Sequence, residues 1–447
     1  MMSVVRGRYV FTVLACLGNM ISLLGRDSLR LAVLPMKEEL NMTTEEVSHV
    51  LAGYNYGMTV TMVLGGPLSD ILGGKWLLLL VTLISGLCTG LVPLLAPVSP
   101  VLVVVSQVVS GLAGGLTVPA LGAMIARWEP LSERGQLATI IYSGSPASAV
   151  FSSLFTGYVS YHHDWRITFY TLGSLPLVWA LPWLILVTDN PSLSRLTSQS
   201  ERNLLTEEIP ASLQRPALRD IPMRALVTSS PVFAMVTANV AVIWATVHTS
   251  LLLPQYLNDV IGLPLHHNSL VSTLPFLGCC LVGLLSSLIS SWILKAGLSK
   301  TAARKVCSSI CLFGFALLSL PVPFIESSSS AVIVLTMAAF SLTGFRYVGP
   351  WNNPLDLAPS FAGTLMGLSG LFCYLTAALV PHTTHIMATL TSQENVWTGL
   401  FLLVSGAAVM ANIVFLVLGT ADLQGWNSVT QSGEKLSDEE TGRGAGA

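Results

Sequence analysis

Apolar residues along the chain are grouped into twelve long stretches, separated by shorter polar segments. An α-helix that crosses a bilayer needs about 20 mainly apolar residues, and the stretches are of that size. They fall at residues 9–36, 47–66, 76–96, 100–127, 136–158, 167–187, 226–257, 268–294, 306–323, 331–351, 361–384 and 398–418. The pattern therefore predicts an all-α polytopic membrane protein with twelve transmembrane helices.

The longest polar break, residues 188–225, separates the first six stretches from the last six. We expect a six-helix bundle over 1–187, a linker over 188–225 and a second six-helix bundle over 226–418. The remaining residues, 419–447, are rich in acidic and small side chains, which is typical of a disordered tail.

Basic residues in the loops and at the ends of the apolar stretches are distributed unevenly between the two sides of the predicted bundle. Sixteen fall on the side of the N-terminus and the linker, whereas Lys37 and Arg166 fall on the other side. Because cytoplasmic loops carry the excess of Lys and Arg, both termini and the linker are predicted to be cytoplasmic. Asn41, in the sequon Asn41-Met-Thr43, would then face outside or the lumen, where it is a candidate for glycosylation.

The composition excludes several classes of protein. Hydrophobic residues make up 52% of the 447 residues and charged residues 10%, and the net charge of −2 argues against a nucleic-acid partner. No nucleophile–base pair, metal-ligand cluster or nucleotide motif stands out, so we expect no enzyme activity and no cofactor. The expected surroundings are the lipid bilayer, and the expected state is a monomer.

A glycine-rich turn joins the second and third stretches and contains two charges. Its sequence is Gly66-Pro-Leu-Ser-Asp70-Ile-Leu-Gly73-Gly-Lys75. Small residues let two helices approach closely, and the charges can cap neighbouring helix ends. The turn resembles the signature of the major facilitator superfamily; a glycine-rich turn with solvated charges is the alternative.

Two further segments narrow this resemblance. Trp128-Glu-Pro-Leu-Ser-Glu133-Arg134-Gly-Gln-Leu137 follows the fourth stretch, and Leu355-Asp356-Leu-Ala-Pro359-Ser-Phe-Ala-Gly363 follows the tenth. Both are similar to elements of the anion:cation symporter family (solute carrier family 17), nearest its sodium-phosphate and organic-anion branch. The resemblance implies a major facilitator fold of two six-helix bundles around a central cavity, and alternating access. It also implies a conformational switch made of Gly66, Asp70, Gly73, Lys75, Glu133, Arg134 and Asp356.

The chain departs from this family at several charged positions. Arg26 matches the family's arginine in the first span, but Gln107 and Gly114 stand where several members have an arginine and an acidic residue. A non-transporting membrane scaffold or receptor is therefore kept as an alternative from another class.

Charges inside the apolar stretches are scarce, and arginine is in excess. Arg26, Asp27 and Arg30 lie in the first stretch and Arg346 in the tenth. An arginine near the bilayer centre costs about 2.5–3.5 kcal/mol on insertion scales unless a cavity or partner receives it. Arg26 and Arg346 are the candidate anion-binding residues, and Asp27 is expected to orient either Arg26 or Arg30. A structural Asp27–Arg30 pair is the alternative. Snorkelling, or hydrogen bonds from Arg346 to backbone carbonyls, is the structural alternative.

Aromatic and histidine side chains supply further candidates for the lining of a binding site. They are Tyr54 and Tyr56 in the second stretch and Trp244 and His248 in the seventh. Helix packing is the alternative for the aromatic residues. His248 is either a titrating group or a neutral, hydrogen-bonded residue of the bundle.

Together these features predict a secondary active transporter of small anions such as phosphate, urate or organic carboxylates. A sodium gradient or the membrane potential is the expected driving force, with Na⁺ and H⁺ both open as coupling ion. The alternative in the same class is a proton-coupled vesicular or lysosomal carrier of acidic sugars or amino acids. We expect the plasma membrane rather than a lysosomal or vesicular membrane.

Overall fold

A computed structural model describes residues 6–191, 194, 197–208, 221–259, 265–325, 329–390 and 396–428. Within these ranges the regular secondary structure is helical. Each of the twelve predicted stretches coincides with a helix or with a pair of consecutive helices. The bounds of the observed helices differ from those of the predicted stretches mainly because the helices extend beyond the apolar residues into the polar surface.

The first half contains seven helices that form six spans. These are α1 (Gly7–Leu40), α2 (Thr44–Leu72), α3 (Gly74–Leu95), α4 (Pro100–Gly114), α5 (Thr117–Trp128), α6 (Arg134–His162) and α7 (Trp165–Leu186). The helices α4 and α5 belong to one span, which is interrupted at Gly115 and Leu116. The linker contributes α8 (Gln199–Glu208) and α9 (Met223–Thr228).

The second half contains α10 (Ser230–Asp259), α11 (Leu265–Lys295), α12 (Lys300–Ser319), α13 (Ser329–Leu342), α14 (Asn353–Leu357), α15 (Ala362–Leu390) and α16 (Val396–Leu418). Its fourth span is not one continuous helix, contrary to the prediction for 331–351. After α13 the chain forms a 3-10 helix, Thr343–Tyr347, and then turns before α14 begins. Gly349 and Pro350 lie in these turns, and proline cannot donate the hydrogen bond that a continuing α-helix requires.

Ten spans among the described residues are long and apolar enough to cross a membrane. The two that fall short, α2 and α6, pack on the other half of the molecule, α2 against α15 and α6 against α11. Side chains at such an internal interface do not face lipid, so they need not be strongly apolar. The hydropathy of these two spans therefore reflects their central position.

Hydrogen bonds near the helix ends divide into two sets, one at each end of the bundle. At one end the Lys75 backbone amide donates to Asp189 Oδ1 (3.0 Å) and the Trp128 indole donates to the Thr188 carbonyl (2.8 Å). We call this the linker end. At the opposite end the Trp165 indole donates to Glu39 Oε2 (2.7 Å). The alternation of ends agrees with the predicted topology, and the cytoplasmic position of the linker end stays a prediction.

The segment after α16 folds back onto the second half. The Gln424 amide donates to the Leu357 carbonyl (2.9 Å), and Asn427 Oδ1 accepts from the Ser360 amide (3.2 Å). The prediction of a disordered tail is therefore wrong for residues 419–428, because backbone groups there have fixed partners. Residues 429–447 lie outside the described part of the chain.

Candidate functional site

The two halves touch closely at the linker end through α2 and α15. A Cβ atom on Gly66 would lie 2.7 Å from Thr364 Cα and 2.9 Å from the Gly363 carbonyl oxygen. Such distances to backbone atoms leave no room for a side chain at this position. Gly66, which the sequence assigned to a conformational switch, is thus a contact point between the halves.

Polar contacts join the halves at the same end. The Gln136 amide donates to the Ser291 hydroxyl, and the Asn352 amide donates to the Gly135 carbonyl at 3.5 Å. Arg134 crosses the same boundary, because its Nη1 lies 3.5 Å from the Leu355 carbonyl oxygen. These contacts close the linker end of the bundle.

The other predicted switch residues occupy this end as well. Glu133 accepts from Arg8 (2.9 Å), and Asp356 accepts from Arg304 Nε (2.7 Å). Gly73 lies between α2 and α3 with a positive φ of 90°. The Lys75 ammonium donates to the Leu184 carbonyl. The side chain of Asp70 lies outside the described residues.

Arg26 and Asp27 form a buried ion pair in the middle of α1. The guanidinium of Arg26 donates to Asp27 Oδ1 from Nε (3.0 Å) and Nη2 (2.9 Å), and it lies 5.3 Å from the centre of the Tyr54 ring. Arg30 Nη2 is 3.7 Å from the same oxygen. Of the two partners that the sequence left open, Asp27 therefore binds mainly Arg26, and the Arg30 side chain is 44% exposed.

Arg346 is buried in the interrupted span of the second half. It is 9% exposed and lies in the 3-10 helix Thr343–Tyr347. Nη2 donates to the Tyr347 hydroxyl (2.8 Å), and the guanidinium carbon lies 4.7 Å from the centre of the Tyr347 ring and 5.6 Å from that of Trp351. Nε and Nη1 are buried without a hydrogen-bond partner among the described residues. The expected alternative, capture by backbone carbonyls, is not what the structure shows.

Tyr374, on α15, is influenced electrostatically by both arginines. It packs beside Tyr54 and Met58 of α2, and its phenol interacts electrostatically with both Arg26 and Arg346. One cation from each half therefore lies within electrostatic range of this tyrosine. The sequence analysis missed Tyr374, Tyr347 and Trp351. Of these, only Tyr347 had a signal in the sequence, because it is adjacent to Arg346.

Three other predicted lining residues lie elsewhere in the structure. Tyr56 is 50% exposed, whereas its neighbour Tyr54 is buried beside Arg26. Trp244 packs against the apolar core of the second half, and His248 is buried with its ring 5.7 Å from that of Phe401 on α16. None of these three side chains contacts Arg26 or Arg346 among the described residues.

Comparison with known proteins identifies the family. The model of the Major Facilitator Superfamily matches residues 15–381. Sialin of Homo sapiens is 28% identical over 402 residues, with 88% of this chain and 80% of sialin covered. The sodium-dependent phosphate transport protein 3 of Mus musculus is 29% identical over 385 residues, with 86% and 80% covered. A probable vesicular glutamate transporter of Caenorhabditis elegans is 30% identical over 448 residues, with 94% and 75% covered.

Solved structures show the same fold at lower identity. The proton:xylose symporter XylE aligns with a TM-score of 0.69 at 14% identity and covers 95% of this chain and 98% of its own. A bacterial homologue of the iron transporter ferroportin, in an outward-facing state, aligns with a TM-score of 0.63 at 16% identity, with 91% and 98% covered. The fold and the relatives agree with the motifs in the sequence. This multi-pass membrane protein belongs to the major facilitator superfamily and, within it, to the anion:cation symporter family, solute carrier family 17.

Proposed function

We propose that the chain transports small anions, of the phosphate, urate or organic-carboxylate class, through a site between Arg26 and Arg346. The observation that carries this proposal is the unpaired guanidinium of Arg346, buried with Nε and Nη1 lacking partners. A buried charge without a counter-ion is costly, so its presence calls for a ligand. A planar guanidinium with free N–H groups suits a carboxylate or a phosphate.

The position of the two arginines supports a role in transport as well as in binding. Arg26 belongs to the first half and Arg346 to the second, and Tyr374 interacts with both. In a major facilitator protein the halves rock around a site near the bilayer centre. An anion held by both guanidiniums neutralises their mutual repulsion, so its binding is coupled to the approach of the halves.

The relatives also support an anionic substrate. The names of two of them refer to phosphate and glutamate, a third is sialin, and a probable small intestine urate exporter of Mus musculus, 26% identical over 385 residues, is a further relative. These names describe those proteins. For this chain they define a reasonable panel of test compounds: radiolabelled phosphate, sialic acid, urate and glutamate.

The test is uptake of this panel into proteoliposomes containing the purified full chain. We expect saturable uptake of at least one anion. Arg346→Ala should weaken its apparent affinity about tenfold or more, since a charge-assisted hydrogen bond contributes about 1.5–3 kcal/mol. Arg346→Lys should restore part of the activity, because lysine keeps the charge and loses the planar fork.

The matched control is Arg224→Ala, which removes an exposed arginine from the linker helix α9. It should leave uptake unchanged. Unaltered affinity in Arg346→Ala would show that this arginine is structural. A wild-type protein that takes up none of the four anions would instead favour the alternative of a scaffold or receptor.

Three further properties are proposed from the sequence. Residence in the plasma membrane would be seen by staining tagged protein in non-permeabilised cells. Glycosylation at Asn41, which is exposed at the turn after α1, would be seen as a mobility shift that Asn41→Gln abolishes. The monomeric state would be seen by mass photometry of the purified protein.

A further inference from the structure

Trp351 lies in the turn that follows the interrupted span of the second half, just before α14. Its side chain is buried, and the indole N–H has no hydrogen-bond acceptor among the described residues. An indole nitrogen can only donate, and a buried donor without an acceptor loses the hydrogen bond that water gives it in the unfolded chain. The position therefore carries a free-energy cost that a bound acceptor would remove.

The other buried tryptophans of the described residues all have an acceptor. Their N–H groups donate to a carbonyl or carboxylate oxygen at 2.7–3.1 Å: Trp128 to Thr188, Trp165 to Glu39, Trp179 to Leu14 and Trp183 to Lys75. A buried tryptophan N–H normally finds such a partner. The missing acceptor at Trp351 is thus a local property of this position and not a general feature of the bundle.

Trp351 is adjacent to the guanidinium of Arg346. The guanidinium carbon lies 5.6 Å from the centre of the indole ring, and the Trp351 backbone amide donates to the Arg346 carbonyl (3.0 Å). Nε and Nη1 of Arg346 also lack partners among the described residues. Two donors that hold one oxyanion group lie within roughly 8 Å of each other, because each N–H···O bond is about 2.9 Å long. The indole and the guanidinium are near enough to share one carboxylate or phosphate group.

The indole ring is held in place by a residue of the first half. Tyr142, on α6, meets it edge-on, with the ring centres 6.2 Å apart and an angle of 86° between the ring planes. The Tyr142 hydroxyl in turn donates to the sulfur of Met366 on α15 (3.1 Å). A donor that is fixed before the ligand arrives loses little conformational entropy on binding. The contact also places this donor at the boundary between the two halves.

We propose that Trp351 binds the substrate anion, and that its indole N–H donates to an oxygen of the oxyanion group that Arg346 neutralises. This inference rests on the proposed function and adds a binding residue to the site. Arg346 supplies the positive charge, and Trp351 supplies a neutral donor of fixed direction. Removal of the indole N–H alone should therefore weaken anion binding and leave the charge of the site unchanged.

The experiment removes a single N–H group from the full chain. Trp351→3-benzothienylalanine exchanges the indole nitrogen for sulfur and keeps the two fused rings. Uptake of radiolabelled phosphate, sialic acid, urate and glutamate is measured in proteoliposomes, and the melting temperature is measured in detergent without anion. For a transported anion the variant should raise KM about tenfold and keep the maximal rate of wild type, since a hydrogen bond to a charged acceptor is lost. Its melting temperature should equal or exceed that of wild type, because no hydrogen bond is lost in the absence of anion.

Two other tryptophans provide matched controls. Trp179→3-benzothienylalanine removes an N–H that donates to the Leu14 carbonyl (2.9 Å). This variant should melt at a lower temperature and keep the wild-type KM, which is the pattern expected of a structural N–H. The same replacement at Trp292, which is 77% exposed, should change neither quantity.

The possible results separate this inference from the proposed function. Wild-type uptake of an anion, together with an unchanged KM in the Trp351 variant, would refute the role of Trp351 alone. If that variant does not fold, Trp351→Phe, which also lacks the N–H, takes its place, and an unchanged KM there would equally refute the role. Absence of wild-type uptake of all four anions would refute the proposed function and, with it, this inference.

Discussion

Buried arginines occur in two regions of this protein, and they differ in what neutralises them. At the linker end, Arg304 donates to Asp356 (2.7 Å) and to the Val348 carbonyl (2.5 Å), and Arg134 donates to the carbonyls of Glu129 and Ala126. In the centre, Arg346 has a neutral tyrosine as its hydrogen-bond partner, and Nε and Nη1 have none.

This difference separates two uses of the same side chain. A guanidinium with permanent partners holds the fold and the closed linker end together. A guanidinium with free N–H groups in a buried position costs stability in the absence of a ligand, which is typical of functional sites. The hydrogen-bond partners of a buried arginine, more than its burial, therefore distinguish the candidate anion site from the structural network.

The largest expected effect is a loss of stability in the arginine network at the linker end. Arg304→Met leaves Asp356 as a buried carboxylate without its cation, and loss of one member of a buried pair costs about 3–5 kcal/mol. The variant should show a strongly lowered melting temperature in detergent and a lower yield of monodisperse protein. The double variant Arg304→Met/Asp356→Asn should recover much of the loss. A single variant as stable as wild type would show that this pair adds nothing to stability.

The next effect concerns the closure of the linker end. Gly66→Ala places a methyl group against the backbone of Thr364, and overpacking of this kind costs about 1–3 kcal/mol. Because the cost falls on the closed arrangement, the linker end should open more often. Maleimide labelling of a cysteine introduced as Ser291→Cys should then become several-fold faster.

Gly157 provides the matched control for this experiment, because a Cβ there would meet nothing within 4 Å. Gly157→Ala should leave the labelling rate unchanged, and the native cysteines set the background in variants that lack Ser291→Cys. Equal labelling rates in Gly66→Ala and wild type would contradict the view that this contact closes the bundle.

The smallest expected effect on stability concerns Glu39, at the end of the bundle opposite the linker end. Hydrogen bonds from Arg166 and Trp165 lower the pKa of Glu39, so its ionised form is favoured in the folded protein. The resulting stability is present above the ordinary glutamate pKa of about 4.3 and is lost as pH falls through the lowered value.

Because Glu39 is exposed, this contribution should stay below about 1 kcal/mol. The melting temperature of wild type should exceed that of Glu39→Gln at neutral pH, and the difference should vanish in acid and shrink in salt. A difference that is independent of pH would contradict the assigned pair.

The spans could be predicted from the sequence because the bilayer imposes a length and a composition on every helix. The interruption after α13 was missed, although Gly349 and Pro350 were visible, because a hydropathy window averages over such local breaks. Arg26 and Arg346 were found because arginine is rare in apolar stretches. Tyr374 was not found, because the position of one aromatic residue relative to two distant arginines depends on tertiary packing. Whether Asp27 pairs with Arg26 or with Arg30 likewise depends on side-chain geometry, which helical spacing does not determine.

The most direct test of the account compares the thermal stability of wild type and Arg346→Met, with and without the anion that the uptake panel identifies. The account predicts that Arg346→Met melts at a higher temperature than wild type in the absence of anion, because a buried unpaired charge is removed. It also predicts that the anion stabilises wild type and not the variant. An Arg346→Met protein that melts lower, as expected for Arg304→Met, or that is still stabilised by the anion, would contradict the claim that Arg346 is held unpaired for a ligand.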